Sequence, residues 1–177
     1  IASVATPSGP DVLKTTATYQ RFDWGEALVQ TTTGEGNCRL LTTRSYYQNT
    51  NQAGFTPNGT RLPLKLVIPH SGPWQRYDSY DPQGRPLIVV SQFLNAPTNA
   101  PENQCRAVQY DYTPLPNSGD DGSQPDLPRT TVHLLLGQEI HRSYTIVKPG
   151  QIRHIQCQTP GAAWNAPDNL VTTKTFY

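Results

Sequence analysis

The sequence predicts an all-β chain: a single-domain antiparallel β-sandwich or jelly-roll of about ten short strands. Three observations predict it. Short runs alternate apolar or β-branched side chains with polar ones, the two-residue period of a half-buried strand. Seventeen prolines and 13 glycines punctuate these runs, and proline is poorly tolerated inside helices and central strands. No helix-length amphipathic segment stands between them.

Residues 1–10 read as an extended arm ending in Pro7-Ser8-Gly9-Pro10, and residues 11–177 as the sandwich domain. Strands are expected over 11–20, 26–33 and 38–47, the second stopped by Gly34-Glu35-Gly36-Asn37. A loop follows to residue 60. In the run 61–69, Leu62, Leu64, Leu66 and Ile68 share a face, and Pro63 marks an edge strand or an early ladder position. Runs 74–80 and 87–94 flank a turn at Asp81-Pro82-Gln83-Gly84-Arg85-Pro86, a hairpin signal. Ile88-Val89-Val90 reads as a strand covered on both faces. Strand 105–113 comes next, with Val108, Tyr110 and Tyr112 together. The breaker-rich stretch 114–129 is too long to be an idle connection, so it reads as an insertion with a job or a mobile loop. Strand 130–136 leads into the best-defined part of the chain, and 170–177 is the terminal strand.

That part is a central hairpin, 138–147 and 152–158 around Lys148-Pro149-Gly150-Gln151. Pro149 presets φ for a turn corner and Gly150 is free to take positive φ. The pairing sets Val147 opposite Ile152, Tyr144 opposite Ile155 and Arg142 opposite Cys157. One face, the expected core face, then carries Ile140, Arg142, Tyr144, Ile146, Arg153, Ile155 and Cys157. The other carries His141, Ser143, Thr145, Val147, Ile152, His154 and Gln156. A loop of odd length would shift the register and swap the faces of one strand.

The segment Tyr80-Asp81-Pro82-Gln83-Gly84-Arg85 resembles one unit of the tyrosine-aspartate repeats of Rhs proteins. The likeness covers these residues alone and implies a hairpin turn.

Hydrophobic residues are 35% of the chain and mean hydropathy is −0.58, yet charged residues are only 15%. The polarity is therefore carried by Thr, Gln, Asn and Ser, which suits strands and loops. Fourteen basic residues against 13 acidic, net +1, argue against the basic surface that general nucleic-acid binding needs. The same near-neutrality argues against disorder driven by charge. No stretch is long and apolar enough for a transmembrane helix. A start at Ile1 reads as a mature product from which a leader or preceding segment was removed, and a secreted, extracellular protein is inferred from that.

Three cysteines leave one unpaired if a disulfide forms. Cys38 and Cys105 both open strands beside polar loops and are the expected pair, with Cys157 a buried thiol; three reduced cysteines are the alternative. No C-x-x-C spacing supports zinc. His141 and His154 share a face but lie about 13 Å apart along the strand at ~3.3 Å per residue, so a metal site would need His133 or an aspartate brought in by folding. No metal ligand set and no cofactor is expected. Asp120, Asp121 and Asp126 offer oxygen ligands without the EF-hand spacing, and a solvated acidic loop is the simpler reading. There is no Gly-x-Ser-x-Gly and no His-Glu-x-x-His, so no catalytic residue is named. Asn58-Gly59-Thr60 is a glycosylation sequon, relevant only in a eukaryotic secretory pathway. Trp24 and Trp164 lie near loops and could plug the ends of a sandwich.

Three functional classes remain. The first is a structural or adhesive subunit, a pilin-like fibre or capsid-like shell, that assembles through strand edges or exchange of an arm carrying Ile1, Val4, Val12 and Leu13; its partners are copies of itself or another subunit. The second is a lectin-like module in which Trp74, Arg76, Asp78 and Tyr80 alternate onto one strand face and bind a glycan, aromatic plates meeting the C–H faces of sugar rings. The bland reading of that tetrad is two core aromatics and a local ion pair. A small secreted hydrolase ranks third.

Overall fold

A computed structural model describes residues 2–4, 14–34, 39–49 and 61–176, and of residues 2–4 the backbone alone. The described residues form twelve β-strands and one short 3-10 turn, Glu102–Gln104. The chain divides into two compact units, Ile1–Gly84 and Arg85–Tyr177. Their boundary falls in the Asp81–Arg85 turn, where Gly84 takes φ +77° and donates its N–H to the Asp81 carbonyl.

The first unit holds β1 (Ala2–Val4), β2 (Thr15–Phe22), β3 (Gly25–Thr33), β4 (Leu40–Tyr46), β5 (Leu64–Ile68) and β6 (Gln75–Tyr80). The second holds β7 (Pro86–Ser91), β8 (Arg106–Asp111), β9 (Thr130–Leu135), β10 (Gln138–Lys148), β11 (Gln151–Gln156) and β12 (Leu170–Thr175). Within each unit every strand pairs antiparallel with the next in sequence. Tight turns force this at three connections, where Asp23-Trp24, Leu136-Gly137 and Pro149-Gly150 each leave room only for a hairpin. The all-β antiparallel class therefore stands, as a meander in each unit rather than the crossover order of a jelly-roll.

In the first unit Phe22, Ala27 and Tyr46 form the buried cluster, joined by Trp24, Val29, Leu62 and Leu64. The Trp24 ring stacks on Phe22 at 4.7 Å between centroids, and its Nε1–H donates to the Tyr47 carbonyl at 3.0 Å. Tyr80 is buried beside Tyr47 and Tyr77 and donates its hydroxyl to the Leu64 carbonyl at 2.6 Å. Desolvation holds that phenol above the ordinary tyrosine range.

The second unit is organised by the central hairpin. Val147 faces Ile152 and Tyr144 faces Ile155, and the Cys157 N–H donates to the Arg142 carbonyl, as the sequence predicts. Tyr144, Ile146, Ile155 and Cys157 form one core cluster, covered by Leu115, Ala162 and Trp164, and Val147, expected on the outer face, is buried as well. Ile140 departs from the expected core face and is 55% exposed. The register shifts between Glu139 and His141, and a bulge of this kind re-aims the side chain it carries. Glu139 anchors the bulge: its carboxylate accepts from Arg142 Nε and Nη2 at 3.1 and 2.6 Å, and from the Gly161 N–H. The Arg142 hydrogen bond holds the Glu139 carboxyl below its usual range.

The 114–129 stretch gathers around the Arg129 side chain. β10 outruns β9, whose last pair is Thr130 with Tyr144, so the edge of β10 beyond Tyr144 needs other partners. The loop supplies them. Thr145 N–H donates to the Arg129 carbonyl, Asp121 N–H to the Val147 carbonyl, and Val147 N–H to the Asp120 carboxylate. Arg129, 1% exposed, lies under the loop. Its Nε donates to Asp120 Oδ2 at 2.7 Å, and its remaining N–H groups to the carbonyls of Leu127 (2.7 Å), Gln124 (3.2 Å) and Ser123. The Asp120 side chain is fully buried in this pair, so it is a structural anion rather than a solvated calcium ligand.

Candidate assembly edge

β12 is the outermost strand of the second unit; among the described residues it pairs only with β11. All of Leu170–Thr175 is exposed. The ladder orientation follows from one bond: Phe176 N–H donates to the Gly150 carbonyl at 2.8 Å. Inward N–H groups recur at every second residue of a regular antiparallel ladder, and this register runs without a shift. Thr172 and Lys174 therefore face β11 with their N–H groups, while Val171, Thr173 and Thr175 point theirs outward.

The side chains continue the core beyond the sheet. Tyr144, Ile155 and Val171 stand opposite one another in one row; the first two are 7% and 3% exposed and Val171 is 52% exposed. Leu170 and Phe176 are likewise more than half exposed. Arg153 stands opposite Thr173, and its Nε is buried with no acceptor among the described residues. Lys174 is the one charged residue of the strand, so little opposes pairing at this edge.

The residues singled out in the sequence are placed as follows. Of the arm, Ile1, Val12 and Leu13 lie outside the described residues. Val4 belongs to β1, whose backbone pairs antiparallel with β2, Val4 opposite Thr15. Trp74 and Tyr80 are 5% and 9% exposed, so neither ring offers a face to a sugar. Arg76 and Asp78 form a two-point ion pair, Nε to Oδ1 at 2.5 Å and Nη2 to Oδ2 at 2.9 Å, with the guanidinium 5.7 Å from the Trp74 ring centroid. The bland reading of the tetrad fits this geometry. Cys38 and Asn58 lie outside the described residues, which contain no disulfide; Cys105 and Cys157 are both buried. Burial raises the Cys157 thiol above its ordinary pKa.

His154 stands opposite Thr145, away from His141. His133, however, is directly opposite His141 across the β9–β10 hairpin. Burial, and then the neighbouring His141, lower the His133 pKa. A cavity of about 400 Å³ opens beside His133, walled in part by Ser91, Arg106 and Val108. Ser91 is on β7, two strands away from β9. Ser91 pairs with Arg106, two residues along β8 from the Val108 that faces His133. At ~4.8 Å per strand spacing and ~3.3 Å per residue the two side chains start roughly 12 Å apart, beyond the hydrogen bond that links a nucleophile to its base. Among the described residues no group of three or more His, Cys, Asp or Glu side chains converges, and no helix is long and apolar enough to cross a membrane.

Comparison with protein-family models, with curated proteins and with solved structures gives no match.

Proposed function

We propose that the chain is an extracellular structural subunit that self-associates through β12, a second copy pairing its own β12 edge to edge. The single observation that carries this is the exposed, nearly uncharged outer strand with the apolar row Tyr144–Ile155–Val171 running off its rim. An antiparallel β12–β12 pair is self-complementary about a twofold axis, the commonest interface symmetry. It would satisfy the outward N–H groups of Val171, Thr173 and Thr175 and cover Val171. The net charge of +1 leaves little repulsion between copies.

Thr173→Pro tests the reading. Proline is tolerated at an edge where the N–H faces outward, so this change removes an outward donor and leaves the β11 ladder intact. Light scattering across a concentration series should show the wild-type mass rising to that of a dimer, and Thr173→Pro remaining monomeric with unchanged circular dichroism. Thr172→Pro, which removes an inward donor, should instead weaken the β11–β12 ladder. A wild-type chain that stays monomeric at millimolar concentration, or association indifferent to Thr173→Pro, rejects the proposal.

A further inference from the structure

The described residues bring together one pair of metal-ligating side chains that the sequence spacing kept eight residues apart. His133 on β9 and His141 on β10 occupy directly opposed positions, so both imidazoles leave the same face of the sheet. Their ring centroids are 5.6 Å apart with planes inclined at 44°. A metal–nitrogen bond of about 2.0–2.1 Å places each ring centroid roughly 3.2 Å from the ion, so two imidazoles at a tetrahedral angle have centroids about 5.2 Å apart. The observed separation exceeds that by only a few tenths of an ångström, within the reach of small χ rotations.

The backbone around the pair is set in advance. Leu136 and Gly137 close the hairpin with φ +53° and +79°, the two positive values of a type I′ turn. On its other side β9 is held by β8, where Val108 faces His133. The bulge after Glu139 is tied down by Arg142 and by the Gly161 N–H, which fixes where His141 leaves the strand. Both histidines are partly exposed, and the cavity beside His133 gives room for water to complete a coordination sphere.

We propose that His133 and His141 together form a two-imidazole site for a late first-row divalent cation. Imidazole nitrogens suit copper, nickel and zinc, and the stability order places Cu²⁺ above Ni²⁺ and Zn²⁺. With two protein ligands the remaining positions belong to water. The site is independent of β12 and of self-association.

The experiment is a titration of the full chain with Cu²⁺ and, separately, Zn²⁺, read by calorimetry and by the histidine ring signals in proton spectra. Substoichiometric Cu²⁺ should broaden the His133 and His141 signals first and leave His70 and His154 sharp. His133→Gln and His141→Gln should each lower Cu²⁺ affinity about tenfold or more, because each deletes a ligand held at high effective concentration by its partner. His154→Gln should leave affinity unchanged. The wild-type spectra need no variant, so a poorly folded substitution does not blunt the test. Simultaneous broadening of all four histidines, selective broadening of His70 or His154, or affinity unmoved by either glutamine substitution overturns the proposal.

Discussion

Arg129→Met is expected to destabilise the second unit by about 3–5 kcal/mol, the cost of stranding one member of a buried ion pair. The guanidinium is 1% exposed and the Asp120 side chain is fully buried against it. Methionine fills much of the volume and donates nothing. It leaves the Asp120 carboxylate buried without its counter-ion and deprives the carbonyls of Ser123, Gln124 and Leu127 of a donor. The loss should propagate, because Asp120 and Asp121, together with the Arg129 carbonyl, satisfy β10 beyond the end of β9. Urea unfolding followed by the fluorescence of Trp164, the only tryptophan after residue 84, measures it. Asp120→Asn should also destabilise, and the double variant Asp120→Asn/Arg129→Met should cost less than the sum of the two, since both residues serve one network. An Arg129→Met penalty below about 1 kcal/mol, the scale of a single net hydrogen bond, would mean that the pair does not hold the loop.

That network marks where local sequence stops being informative. The Pro149-Gly150 turn announces its hairpin because both residues act on their own φ angles, and the alternation on either side then fixes which residues meet. Tyr144, Ile146, Ile155 and Cys157 were legible as core for that reason. Strand positions read from alternation survive to within a few residues, as at β3 and β9. The role of 114–129 was not legible, because Arg129 reaches its partners through the space under a folded loop and no periodic pattern encodes that. The His133–His141 encounter was hidden similarly. It depends on Leu136-Gly137 serving as a two-residue turn, and leucine at positive φ lacks the Asn-Gly or Asp-Gly signature of such turns. Alternation did bring Trp74 and Tyr80 onto one list with Arg76 and Asp78, yet it cannot tell a buried aromatic from an exposed one. The carbohydrate reading loses its stacking surfaces on that point. The unfinished rim at Val171 needed the strand order, which no run of residues contains.

Ile146→Ala is the second large effect expected, at about 2–5 kcal/mol. Ile146 is 1% exposed and packs in the cluster with Tyr144, Ile155 and Cys157, under Leu115, Ala162 and Trp164. Truncation removes the transfer energy of the lost methyl and methylene groups and leaves a void that two strands held in a continuous hydrogen-bonded ladder cannot easily close. Ile140→Ala supplies the contrast. Simple alternation puts Ile140 and Ile146 on the same face of one strand, whereas the bulge after Glu139 turns Ile140 outward to 55% exposure. A surface change of this kind typically stays within about 0.5 kcal/mol. The two alanine variants therefore separate a regular strand from a bulged one by a difference of several-fold in measured destabilisation. Glu139→Gln should narrow that difference, since it weakens the charge-assisted bonds to Arg142 that pin the bulge. Equal penalties for Ile140→Ala and Ile146→Ala would restore the unbroken ladder, and with it would move His141 out of register with His133.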